Sequence, residues 1–218
     1  MTTSHQRTSH IQYSPLEERL NIGSHAIGFL LSLIALVALL LQARAIGSTV
    51  ALVSFGLFGL SLVILYGVST LYHSTQNPLS RSRLRIADHA AIYVLIAGTY
   101  TPFTLVTLQG SIGWSIFAAS WAMALTGIGL KLFYTGRFQL LSTLLYVFMG
   151  WIILFAIVPL VERLPAAGLN WVVAGGISYT LGAALYSFRI LPFNHAMFHL
   201  FVLIGSGCHF VAVYFYVR

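Results

Sequence analysis

Charge is what this chain has least of. Lysine, arginine, aspartate and glutamate together make up 7% of 218 residues, and only four side chains are acidic. A soluble domain carries about 25% charged residues, so this supply cannot cover a water-facing surface. With 58% hydrophobic residues and a mean hydropathy of +0.89, the composition is that of an integral membrane protein. Cysteine is nearly absent. Cys208 stands alone, which excludes an intrachain disulfide framework and says nothing of redox compartment. No apolar run occurs before residue 22, so no cleaved signal peptide is expected. Met1 to Leu20 read instead as a polar cytoplasmic tail with an amphipathic turn around Leu16 to Leu20. There is no internal repeat and no low-complexity stretch. The expectation is one domain over 1–218, with the tail occupying 1–21. A net charge of +7 does not point to nucleic acid, because the basic residues lie mostly in short loops, where membrane topology accounts for them.

Seven apolar segments follow, near 22–43, 50–74, 86–108, 112–131, 139–160, 169–190 and 194–217. Each is long enough to cross a bilayer, which takes about 20 residues. The third and fourth are split only by a tight turn at Gln109, Gly110, Ser111 and Gly113, and the fifth ends at Pro159, ahead of Glu162 and Arg163. The predicted fold class is therefore all-α integral membrane with seven transmembrane helices. With the N-terminus inside, eight of the eleven basic residues (Arg7, Arg19, Arg81, Arg83, Arg85, Lys131, Arg137 and Arg189) fall on the cytoplasmic side, against Arg44, Arg163 and Arg218 on the other. The positive-inside rule then predicts a cytoplasmic N-terminus and an external C-terminus. Most seven-helix receptors that couple to G proteins run the other way. Trp114, Trp121, Trp151 and Trp171 are expected in interfacial belts or helix packing.

The ionisable groups gather at one depth. Ser69 and His73 end the second segment, Asp88 (the only aspartate) starts the third, and His195 and His199 start the seventh. Successive spans alternate in direction, so these ends share one side of the membrane, whichever side that is. Residues i and i+4 share a helix face, and two histidines so placed can bind a single zinc. Three protein ligands with one open position is the catalytic zinc pattern. His73, His195 and His199 are the predicted ligands and Zn2+ the predicted metal. Asp88 would hold the bound water or orient a ligand. Pro192 and Asn194 precede His195, so the last helix is expected to begin there with Asn194 as N-cap. Its positive end disfavours imidazolium, as ligation requires.

Each residue also has a plainer reading. An intramembrane histidine can be hydrogen-bond glue between helices, the expected role of His209, which lies ten residues beyond His199, about 15 Å along a helix. His5 and His10 belong to the tail and are expected in solvent. His25 is expected to pack, although its position also suits a fourth ligand. His89 points about 100° away from Asp88 and is expected at the interface. Asp88 alone could be a helix-start carboxylate or an ion-pair partner of Arg83 or Arg85. The paired spacings at shared depth favour the metal. In the third segment, Pro102 of Gly98-Thr99-Tyr100-Thr101-Pro102-Phe103 predicts a kink, with the threonines satisfying the carbonyl that proline frees. Gly56, Gly59, Gly175, Gly176 and Gly182 suit close helix packing.

These positions carry a resemblance. Glu18-x-x-Asn21-x-x-Ser24-His25, Ser69-x-x-x-His73, Asp88-His89, the Gly98-to-Phe103 run and Asn194-His195-x-x-x-His199 through Cys208-His209-Phe210 resemble the hemolysin III branch of the progestin and adipoQ receptor family, over Glu18 to Tyr216. The resemblance implies an adiponectin-receptor-like bundle of seven helices in the inner membrane, a cytoplasmic N-terminus, and zinc near the cytoplasmic side. The family's ligand positions match His73, His195 and His199, with Ser69 and Asp88 nearby. In the adiponectin receptors the similar site is linked to ceramide hydrolysis, and the wider superfamily includes alkaline ceramidases. The long N-terminal domain of those receptors is missing, so hormone binding is not implied. The resemblance leads to a zinc-dependent hydrolase of a lipid amide or ester, with membrane lipid as substrate and membrane homeostasis as its setting. Asp88 would be the general base, and Ser69 would donate a hydrogen bond to the water or the oxyanion. Two other expectations stand beside it: a non-catalytic membrane sensor braced by structural zinc, and a pore-forming cytolysin, as the family name suggests. The spans hold few charges to line a conducting path, which ranks the pore last.

Overall fold

Caps, more than hydropathy, decide where two of these helices begin. The computed structural model describes residues 13–134, 139–188 and 191–218. Arg7, Arg137 and Arg189 of the charge count, and the tail histidines His5 and His10, lie outside the described residues. The described elements are all helical: α1 (Pro15–Ile46), α2 (Thr49–Ser74), α3 (Pro78–Pro102) running into a π-helical turn (Phe103–Leu108), α4 (Gly110–Tyr134), α5 (Gln139–Trp151) continuing through a 3-10 turn (Ile152–Ala156) into α6 (Ile157–Arg163), α7 (Ala166–Phe188) and α8 (Asn194–Tyr216).

Two helices start earlier than hydropathy alone predicts. α1 begins at Pro15 rather than near 22, so the end of the segment read as a tail is helical. The Ser14 hydroxyl accepts from the Glu17 amide at 3.2 Å, proline takes the first position, and Glu17 and Glu18 fill the first turn, where the helix dipole favours carboxylates. α3 begins at Pro78 rather than 86, because Asn77 Oδ1 accepts from the amides of Leu79 and Ser80 at 3.1 and 3.0 Å. Arg81, Arg83 and Arg85 are therefore helical. That rigid placement brings Arg81 to Glu18 of α1, to which it donates.

Six stretches are long and apolar enough to cross a membrane: Pro15–Ile46, Thr49–Ser74, Pro78–Leu108, Gly110–Tyr134, Leu140–Arg163 and Asn194–Tyr216. The protein is thus a multi-pass integral membrane protein, and side chains such as Leu30, Ile34, Phe133 and Phe155 stand exposed, as a lipid-facing surface requires. α7 is a further helix of 23 residues. Asn170, Ser178, Thr180 and Ser187 interrupt its apolar sequence, and it is not among the six.

Hydroxyls bond the backbone around both helix breaks, as an apolar solvent favours. The hydroxyls of Thr99, Thr101 and Thr104 donate to the carbonyls of Leu95, Ala97 and Tyr100 at 2.8, 2.9 and 3.0 Å. The carbonyl that Pro102 deprives of its i+4 donor is Gly98's, so the threonines bond its neighbours and not that group. α3 does not end there; it widens into the π-helical turn and stops at Gln109 and Gly110, both with positive φ (52° and 56°). At the same end Arg163 donates to the Leu108 carbonyl. The fifth segment likewise runs through Pro159. Its break lies upstream, where Tyr100 donates to the Gly150 carbonyl at 2.7 Å and accepts from the Ile153 amide at 3.2 Å. Trp121 and Trp151 are packing residues whose indole N–H groups reach Thr101 and Thr180 at 3.2 and 3.0 Å. Trp114 and Trp171 stand exposed.

Buried Leu39, Phe55, Phe58, Leu108, Leu160 and Val213 belong to one apolar cluster that ties α1, α2, α6 and α8 to the π-helical turn. Close approach at α7 and α8 depends on Gly175. A Cβ there would meet the His209 ring and lie 3.1 Å from the Gly205 carbonyl, whereas one on Gly176 would find only Trp151 at 3.7 Å. Gly175→Ala should therefore cost about 1–3 kcal/mol of stability through overpacking. Gly176→Ala should be near neutral. Thermal unfolding of the two variants in detergent separates them, and equal midpoints would remove the contact's importance.

Candidate metal centre

The C-terminal end of α2 and the N-terminal ends of α1, α3 and α8 meet at one end of the bundle. His73 comes from the last turn of α2, and His195 and His199 from the first turns of α8. All three are buried, and one ligand nitrogen from each lies within 4.8 Å of the others. His73 Nε2 and His195 Nε2 are 3.2 Å apart. Two nitrogens at about 2.0–2.1 Å from a tetrahedral zinc stand roughly 3.3–3.4 Å apart. The pair therefore has the spacing to share one ion, and the three histidines could hold a metal.

Helix α1 orients these rings. His73 Nδ1 is 3.0 Å from Glu18 Oε2, and Arg81 donates to the other carboxylate oxygen. A proton on Nδ1, inferred from this bond, leaves the His73 Nε2 lone pair facing His195. His199 Nδ1 lies 3.4 Å from Ser24 Oγ. That hydroxyl donates to the Asn21 carbonyl at 3.1 Å and so can accept from the ring. His25 lies flat on His199, with centroids 3.5 Å apart and planes at 9°. It packs there, outside the group of three. Tyr13 stacks on His195 at 4.6 Å, and burial pushes its hydroxyl far above the ordinary phenol range, so this cover over the site stays uncharged. His195 Nδ1 is buried without a partner.

The start of α8 differs from the sequence expectation. Asn194 is the first helical residue and not the N-cap. The capping position is Phe193, in the left-handed region (φ 59°), and it offers no side-chain cap. Asn194 turns its amide to the Tyr186 carbonyl at 3.5 Å. The helix-start amide of His195 is met instead by Glu17 Oε1 at 3.3 Å. A carboxylate borrowed from α1 thus serves the positive end of α8.

Asp88 is buried in α3. Its oxygen is 3.8 Å from His89 Nδ1, and that ring nitrogen bonds the Arg85 carbonyl at 2.7 Å. Asp88 is not in the group of three ligands, and among the described residues it pairs with neither Arg83 nor Arg85. Ser69 Oγ is buried and unpartnered. Asp88 and Ser69 both face a cavity of about 140 Å³ that also reaches His195, His199 and His209. His89 lines it as well and is only partly exposed, so it is not purely interfacial. His209 bonds the Gly205 carbonyl of its own helix at 2.8 Å and stacks on Tyr179 at 5.3 Å. Among the described residues it joins α7 and α8 by packing and not by the expected interhelical hydrogen bond.

The roles of Tyr13, Glu17, Glu18 and Arg81 escape a reading by hydropathy. Their signal was Ser14-x-x-Glu17, a capping pattern that starts α1 early enough for its first turns to reach the histidines. Glu18→Gln should weaken zinc binding about 10–100-fold, as for other carboxylates that orient a ligand histidine. Competition with a fluorescent chelator measures this, and unchanged affinity would exclude the role.

A family model described as Haemolysin-III related matches residues 13–210. The chain is similar to Hemolysin-3 of Bacillus cereus, 48% identical over 201 residues that cover 92% of each chain. It is 46% identical to the Hemolysin-3 homolog of Bacillus subtilis (strain 168) over 200 residues, 92% of this chain and 94% of the relative. With the human Monocyte to macrophage differentiation factor the identity is 27% over 169 residues, 74% of this chain and 69% of the relative. No solved structure matches.

Proposed function

Because the chain belongs to the hemolysin III family, we propose that it is a seven-helix zinc protein of the inner membrane, N-terminus in the cytoplasm, that hydrolyses an amide or ester bond of a membrane lipid in membrane homeostasis. The seventh crossing is α7. α6 ends beside Leu108, away from the histidines, and α8 begins among them. The 23 residues of α7, about 34 Å of helix, are what connects the two levels.

The observation that carries the reading is the donor set beside the cavity. Three buried imidazoles converge, and an all-nitrogen set of this kind suits zinc. Neither His25 nor Asp88 joins the three, which supports an open fourth position over a closed structural site. Zinc held there supplies Lewis acidity toward a carbonyl and acidifies water toward a pKa of about 7. Asp88 takes the proton from the attacking water, and Ser69 donates its hydroxyl to the oxyanion. The apolar walls beyond them exclude water and hold the lipid.

Protein purified in mild detergent should release fatty acid from a long-chain N-acyl or ester lipid. The release should stop with 1,10-phenanthroline and return with added zinc. Zinc-replete protein that cleaves neither class would end the hydrolase reading and leave the zinc-braced sensor.

A further inference from the structure

A second, smaller chamber of about 30 Å³ adjoins the large cavity, sharing His89, Tyr146 and His195 with it. The large cavity carries Asp88 on its wall. The small one has no carboxylate among its described lining residues and is lined by two basic side chains, Arg85 and Lys131. Lys131 is 4% exposed. Its ammonium donates to Ser142 Oγ at 2.6 Å and lies 5.8 Å from the Tyr146 ring centre. Arg85 Nε is buried without a hydrogen-bond partner, and among the described residues Arg85 is in no ion pair.

Two cations in one chamber repel each other, and a desolvated guanidinium edge left unbonded is costly. An anion between them resolves both. Arginine offers a fork for paired oxygens and lysine a point charge, a combination that suits phosphate. About 10–15 Å³ of such space is needed per water-sized group, so the chamber fits the two non-bridging oxygens of a phosphodiester. Tyr13, which stacks on His195, also lines it, so the chamber lies directly beside the histidine cluster. We propose that Arg85 and Lys131 form an anion subsite for the headgroup phosphate of the lipid substrate, whose scissile carbonyl lies at the histidines. This substrate class rests on the hydrolase reading above, whereas the anion site itself does not.

The test is equilibrium binding of non-cleavable, ether-linked phosphatidylglycerol to the full-length protein, with phosphate-free dialkylglycerol as the neutral probe. Native mass spectrometry from detergent reads both. Arg85→Gln and Lys131→Met should each weaken the anionic lipid tenfold or more and leave the neutral one unchanged. Arg83→Gln, two residues away in α3 and exposed, should change neither. Arg85→Lys, the variant most certain to fold, should show an intermediate loss through the missing fork. Equal losses for both lipids, or a loss with Arg83→Gln as large as with Arg85→Gln, would overturn the subsite. Inorganic phosphate that binds the parent at millimolar concentration and not Arg85→Gln, yet leaves the lipid bound, would put free phosphate there and overturn the headgroup assignment. No arm requires hydrolysis, so an inactive protein with a selective subsite is distinguishable from an active one without it.

Discussion

His199→Ala, purified in mild detergent without chelator, is expected to contain less than about a tenth of a zinc per chain, where the parent contains about one. Structural zinc sites bind with roughly 10–16 kcal/mol. Removing one of three imidazoles forfeits several of those, on the order of a 10³-fold loss or more. Among the described residues, His25 is the nearby ring that could substitute, and it lies flat against the face of His199 instead of pointing a nitrogen into the cluster. His209→Ala is the matched control. It lines the same cavity, but its ring is tied to the Gly205 carbonyl, and it should keep its zinc. Elemental analysis of the purified variants decides the point. Parental zinc in His199→Ala would withdraw the ligand assignment, and zinc lost from both would indicate general collapse instead of ligand removal.

What could be read from the sequence was whatever depends on helical period and chain direction. Ser69 and His73, and His195 and His199, share faces because four residues make nearly one turn, and alternating helices bring both pairs to one end. Hydropathy placed the long apolar helices but set the starts of α1 and α3 several residues late. Those starts are fixed by Ser14 and Asn77 caps, which act through hydrogen bonds that no apolar window registers. The late starts hid the outer contacts. Glu18 reaches His73 across 55 residues and Arg81 across 63, and only the packing of α1 against α2 and α3 brings them together. The same tertiary logic defeated the Asn194 cap, since a carboxylate from a distant helix was there to serve α8. The break between α5 and α6 went unseen for a related reason. Its freed backbone groups are satisfied by Tyr100, fifty residues away.

Asp88→Asn should separate catalysis from metal binding. The substitution keeps the shape of the side chain and removes its ability to take a proton, so activity should fall about 10²–10⁴-fold while zinc content stays at the parental level. Retention follows from geometry: Asp88 faces the cavity but contributes no atom to the three-histidine group. Ser69→Ala should be milder, about tenfold to a hundredfold, because an unpartnered buried hydroxyl is replaced by a methyl that costs nothing in the resting protein and loses one donor to the oxyanion. Single-turnover release of fatty acid, measured beside zinc content, reads both. If Asp88→Asn loses zinc in step with activity, the carboxylate orients the metal and is not the base. If it keeps both, the proton goes elsewhere, and His89, 3.8 Å from Asp88 and on the same cavity wall, becomes the group to replace. Loss of activity with full zinc is the result expected of a base that faces the cavity without being a ligand.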